Sequence, residues 1–165
     1  MLVSAGNTDN FTFGAGNYLD RCDHEDNEIE SPAQAWNVLS VGAFTEKTVL
    51  PNGDPAQALA PFGDLSPASR TASWSSHWPN KPDVVLEGGN WALSAMPPPM
   101  RHGWLSLLST HHNYPVRSFT FTFDTSAATA LAAKDVTELW SDYPTLWPET
   151  VRGLYVSSAR WTQQM

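Results

Sequence analysis

The stretch Phe123-Asp124-Thr125-Ser126-Ala127-Ala128-Thr129-Ala130-Leu131-Ala132-Ala133 constrains this chain more than any other. An extended Phe/Thr run ends there and an alanine-rich segment of high helix propensity begins. Ser126 therefore stands at the mouth of a helix. Its hydroxyl points outward, and its backbone N–H joins the donors that no turn of the same helix can satisfy. Those donors and the positive helix end favour an anion. A serine nucleophile, whose reaction develops an oxyanion, needs this setting. The same residues also spell an ordinary helix start capped by Asp124 or Thr125. Taken alone, the stretch leaves both readings open.

The remaining pattern is that of an α/β fold. Short apolar runs at Leu2–Ser4, Val38–Val41, Val84–Leu86 and Leu105–Leu108 suit strands of a sheet covered on both faces. Ser118–Phe123 alternates Phe with Thr or Ser, as a strand with one exposed face would. A helix is expected from Ser126 to about Trp140, stopped by Pro144. A second is expected to begin at Pro148, with Glu149 at its positive end. Val151, Leu154, Tyr155 and Ser158 would share its sheet-facing side, with close packing at Gly153.

Five segments, in order, resemble the later half of the subtilisin-like (S8) serine protease domain. Leu2-Val3-Ser4-Ala5-Gly6-Asn7 is similar to the strand and turn that carry the family's oxyanion-hole asparagine. Asn37-Val38-Leu39-Ser40-Val41-Gly42-Ala43 resembles the core strand that follows, and Lys81-Pro82-Asp83-Val84-Val85 the entry to another central strand. Thr125-Ser126-Ala127-Ala128 resembles the nucleophile motif, and Pro148-Glu149-Thr150-Val151-Arg152 through Ser158-Ala159 the closing helix. The resemblance implies a partial subtilisin-like α/β fold, a mostly parallel sheet flanked by helices. Residues 1–165 would form the C-terminal half of the peptidase domain, with insertions at about 8–35 and 89–117. It also implies that Ser126 is the nucleophile and that Asn7 supplies an oxyanion-hole N–H, whose loss costs roughly 10²–10³ in turnover. Gly6-Asn7 is equally good turn chemistry.

The family's triad runs Asp, His, Ser along the chain, and neither an aspartate motif nor His-Gly-Thr precedes Asn7. His24, His77, His102, His111 and His112 all follow it, and His102-Gly103 continues with Trp104. The resemblance thus implies that the general base and its orienting aspartate are absent from this chain. A serine without its base is a weak nucleophile, and losing the histidine costs on the order of 10⁶ in turnover. The chain alone is therefore expected to be nearly inert. The missing half would lie upstream or on a complementing chain, and without it the first strand would expose an unpaired edge. The nucleophile motif also departs from the family: Asp124 stands for the usual Gly and Ala130 for Pro, and Leu86-Glu87 replaces Ala-Pro before Gly88. A carboxylate two residues before the nucleophile can oppose an oxyanion, depending on where it points. These changes suit a divergent active branch or a pseudoenzyme equally.

The net charge of −8 argues against nucleic acid or an anionic membrane as partner; the resemblance implies a protein or peptide substrate. The lone Cys22 excludes an intrachain disulfide and a cysteine zinc site. No apolar run approaches bilayer length, and no signal peptide is visible, so compartment stays open. Asp20, Asp23, His24, Glu25, Asp26, Glu28 and Glu30 form an acidic cluster, read as a solvated loop. Its sharper readings are a rim preferring basic peptides or a structural calcium site, though no calcium-loop spacing appears. No cofactor is implied. His111-His112 makes a poor chelate and reads as loop, as does the stiff Pro97-Pro98-Pro99. Trp74, Trp78, Trp91 and Trp104 fall in loop-like sequence, where aromatics pack inward or meet a sugar or peptide. Two functions stand side by side: part of a serine endopeptidase, or a non-catalytic binding module on the same scaffold.

Overall fold

The computed structural model describes residues 1–8, 18–22, 25–72, 80–95 and 98–165. The elements are β1 (Leu2–Ser4), α1 (Tyr18–Cys22), β2 (Leu39–Thr45), β3 (Gln57–Ala58), β4 (Asp64–Leu65), β5 (Val84–Glu87), β6 (Trp91–Leu93), β7 (Met100–Arg101), β8 (Leu107–Thr110), β9 (Phe119–Thr122), α2 (Asp124–Asp142) and α3 (Pro148–Ser158).

β2 is the organising strand. β1 pairs with it in parallel through Leu2↔Leu39 to Ser4↔Val41, and β5 in parallel through Val41↔Val84 to Phe44↔Glu87. Val41 meets both, so β1 and β5 lie on opposite edges of β2. β4 pairs antiparallel with Phe44 and Thr45. The expected parallel arrangement therefore holds for the three central strands, while the sheet as a whole is small and mixed. The other sheets, β3-β6-β7 and β8-β9, are antiparallel.

Alternation along β2 explains the packing. Leu39, Val41 and Ala43 face α2 and join Val84, Ala128, Ala132, Val136 and Val151 in one buried cluster. Ala128, Ala132 and Val136 recur every fourth residue and so form one helix face. Small alanines let that helix lie close on the strands. On the opposite face Gly42 meets Pro82 and Ser69, and a Cβ there would come within 2.5 Å of the Pro82 ring. Loops, rather than a second helix, cover that side at this point.

Three expectations are corrected. Leu105–Leu108 is not a strand of the parallel sheet. Leu105 closes a 3₁₀ turn, Gly103–Leu105, and is fully buried. Only β8, from Leu107, is extended, and it pairs antiparallel with its chain neighbour β9. An apolar run marks burial and says nothing of which strand lies beside it. α3 buries Val151 and packs Tyr155 partly against the core, but Leu154 is 45% exposed and Ser158 is exposed. Nothing approaches within 4 Å of where a Gly153 Cβ would stand. α3 leans on α2, where the Tyr155 hydroxyl donates to Asp135, so its inward face is narrower than a sheet-packed helix requires. Trp91 lies in β6, 7% exposed, and not in a loop. Trp104 is exposed in its turn, and Trp74 and Trp78 fall outside the described residues.

An ionic knot ties β2, the segment entering β5, and α3 together. The Asp83 carboxylate accepts from the Ser40 N–H at 2.7 Å, the Ser40 hydroxyl at 2.8 Å and Lys81 Nζ at 2.6 Å. Arg152 of α3 adds a contact at 3.4 Å and donates to the Trp36 carbonyl. Burial alone would raise the Asp83 pKa, but the hydrogen bonds from Lys81 and Ser40 outweigh it and hold it below the ordinary carboxylate value.

Candidate active site

β1 delivers Gly6 and Asn7 to one end of the sheet. Gly6 has φ 95°, a backbone conformation that glycine adopts without strain. The segment after β4 then pins the turn. Asn7 bridges Ser69 in antiparallel fashion, and the Thr8 N–H donates to the Ala68 carbonyl at 2.9 Å. The Arg70 N–H donates to the Gly6 carbonyl, while its guanidinium donates to the carbonyls of Asn7 (3.0 Å) and Glu28 (2.9 Å) and to the Glu30 carboxylate (2.7 Å).

The second half of the site is the start of α2. β9 leads into Phe123, whose backbone is extended, and Asp124 follows with φ 67°. This left-handed residue turns the chain sharply from strand into helix. Non-glycine residues rarely adopt it, though Asp is among those that tolerate it best. The Asp124 N–H donates to the Gly88 carbonyl at 2.7 Å. A Cβ on Gly88 would stand 2.9 Å from the Asp124 carbonyl oxygen and 2.4 Å from the Ala43 Cβ, so only glycine lets this turn approach β5. Glu87 folds back to accept from the Gly89 N–H at 2.6 Å and the Glu46 N–H at 2.7 Å.

The two halves meet across 118 positions of sequence. Asn7 Oδ1 accepts from the Thr125 N–H at 3.1 Å and from the Thr125 hydroxyl at 2.7 Å. A backbone N–H can only donate, so the atom facing it is the amide oxygen, and the Asn7 NH₂ is left directed away from Thr125. Thr125 is buried, whereas Ser126, the next residue and the third of the helix, is exposed. Of the helix-start donors, Asp124 N–H and Thr125 N–H are thus engaged by Gly88 and Asn7, and the Ser126 N–H comes next. The expected side-chain cap by Asp124 or Thr125 is not formed: the capping residue is Phe123, which makes no side-chain bond.

The Asp124 carboxylate is buried. Its side chain is 5% exposed and pairs with Arg101. The Arg101 guanidinium lies over the Trp91 ring at 5.2 Å and the Phe123 ring at 5.6 Å.

The described histidines have contacts of their own. In His102, Nδ1 accepts from the Trp104 N–H and Nε2 sits 3.2 Å from Asp54. A neutral imidazole with both nitrogens so engaged has no lone pair to offer a serine. His111 Nδ1 accepts from the Asn113 N–H, and its ring stacks on His112 at 4.2 Å. His24 and His77 fall outside the described residues. Within the acidic cluster, Asp20 and Asp26 are exposed and Glu30 is taken by Arg70. Asp23 and His24 lie outside the described residues. Among the described residues, no three His, Cys, Asp or Glu side chains come together as a metal set.

Arg70, Gly88 and Arg101 were missed by sequence reasoning. Only Gly88 carried a signal, as a glycine directly after an apolar strand; the arginines are recognisable only through partners 63 and 23 positions away.

A sequence model described as the subtilase family, Peptidase S8, matches residues 1–165. No curated protein and no solved structure matches the chain.

Proposed function

The chain belongs to the subtilase family, and from that premise we propose that it carries the nucleophile and oxyanion-binding part of a serine endopeptidase site. The observation that carries this reading is the pair of hydrogen bonds from Thr125 to Asn7. They bring the Asn7 amide to the mouth of α2, beside the exposed Ser126. Ser126 Oγ attacks a peptide carbonyl carbon as a histidine base takes its proton. The carbonyl π pair moves to oxygen, and that oxyanion accepts from the Ser126 N–H and the Asn7 NH₂. The base then protonates the leaving amine as the C–N bond breaks, and water releases the acyl group from Ser126. His102 has both ring nitrogens engaged, and the resemblance implies a base from the earlier half of the domain, so we place the base on another segment or a complementing chain.

A fluorophosphonate probe on the longest natural form of the protein tests this. Stoichiometric labelling that disappears in Ser126→Ala supports it. A folded protein that takes up no label points instead to a non-catalytic binding module, the reading favoured by Asp124 at a position where the resemblance implies glycine.

A further inference from the structure

We propose that Arg101 is a positioning residue for Ser126, acting through Asp124. The inference rests on the nucleophile reading above but names a part that the family resemblance does not supply. Asp124 must hold a left-handed backbone, φ 67°, for strand β9 to turn into α2 with Ser126 outward. It must also keep a carboxylate two residues from a forming oxyanion without repelling it. Arg101 meets both needs. Its guanidinium pairs with the buried carboxylate and offsets its negative charge. The arginine is itself held in place. β7 sets it directly opposite Trp91 of β6, which is 7% exposed, and its charge lies over both the Trp91 and Phe123 rings. Phe123 is the residue immediately before the turn. The clamp therefore fixes the turn from its side chain and from its preceding residue together. A glycine at 124 would need none of this, because it has neither a Cβ nor a charge.

The test is a double-mutant cycle on the longest natural form, read by fluorophosphonate labelling and by urea denaturation. Arg101→Met is expected to slow the maximal labelling step about a hundredfold, the cost of a misplaced reacting group, with little change in probe affinity. Arg101→Lys keeps the charge but not the planar fork and is expected to fall between the two. Arg101→Met with Asp124→Gly is expected to label within a few-fold of Asp124→Gly alone, and to recover the urea midpoint lost in the single variant. If Arg101→Met folds poorly, recovery by Asp124→Gly still supports the clamp, and failure to recover overturns it. A wild-type labelling rate in Arg101→Met, or a double variant as slow as that single one, also overturns it. The urea cycle separates the two layers. An unlabelled wild type that still shows the coupling refutes the nucleophile assignment and the positioning role with it, leaving the clamp as a structural pair; coupling lost while wild type labels removes the clamp alone.

Discussion

Two arginines brace the two sides of the site, and they use different chemistry. Arg70 holds the Asn7 turn through backbone carbonyls and an exposed Glu30, all neutral or reachable by water. Arg101 holds the Ser126 turn through a carboxylate that is almost wholly buried. Remove Arg70 and water can take over most of what it donated. Remove Arg101 and a charge is left in a place water scarcely reaches. The lesson is that the dependence of a turn on its brace is set by the burial of the acceptor, not by how many bonds the brace makes.

The sharpest way to break this comparison is to delete each brace. Arg101→Met is expected to lower stability by about 3 kcal/mol, the lower end for breaking a buried pair because the arginine end is 40% exposed; urea melts check it. Gly88→Ala comes next, at roughly 2 kcal/mol, since its methyl overlaps the Asp124 carbonyl and Ala43. Its loss should track the Arg101 side, slowing Ser126 labelling while leaving the Asn7 turn protected in hydrogen exchange. Arg70→Met is expected to cost about 1 kcal/mol, the scale of replaceable hydrogen bonds, and to speed amide exchange at Thr8 and Arg70's neighbours. Equal losses for Arg70 and Arg101 would refute the contrast.

A pH titration gives the smallest effect and tests the idea away from the site. Asp83 is held below its ordinary value in the fold, whereas an unfolded aspartate titrates near about 3.9. Its contribution is therefore complete above that unfolded value and is lost as pH falls through the lower folded one. Asp83→Asn should flatten this acid limb of the stability profile. An unchanged limb would mean that the Lys81, Ser40 and Arg152 contacts do not favour the ionised form.

What the sequence made legible follows the range of the forces involved. The central strands and both long helices are local matters of propensity and periodicity, and they lie close to where Val38–Val41, Val84–Leu86, the alanine-rich stretch from Ser126 to about Trp140 and the start at Pro148 indicate. The meeting of Asn7 with the start of α2 was accessible only through family resemblance, because nothing local links residues 118 apart. The antiparallel partner of β8, the open space at Gly153 and the two arginine braces were not legible. Each depends on what the completed fold brings alongside, and an arginine in sequence looks the same whether it meets solvent or a buried carboxylate.

The left-handed residue at 124 also dictates an order of descent. Aspartate and glycine codons differ at a single base, so this position can switch in one mutational step. Exchanging it for glycine first leaves a guanidinium that remains stacked and reaches solvent. Losing the arginine first leaves a buried carboxylate without the guanidinium that faces it. The two steps do not commute, and lineages leaving this arrangement should pass through 124 before they pass through 101.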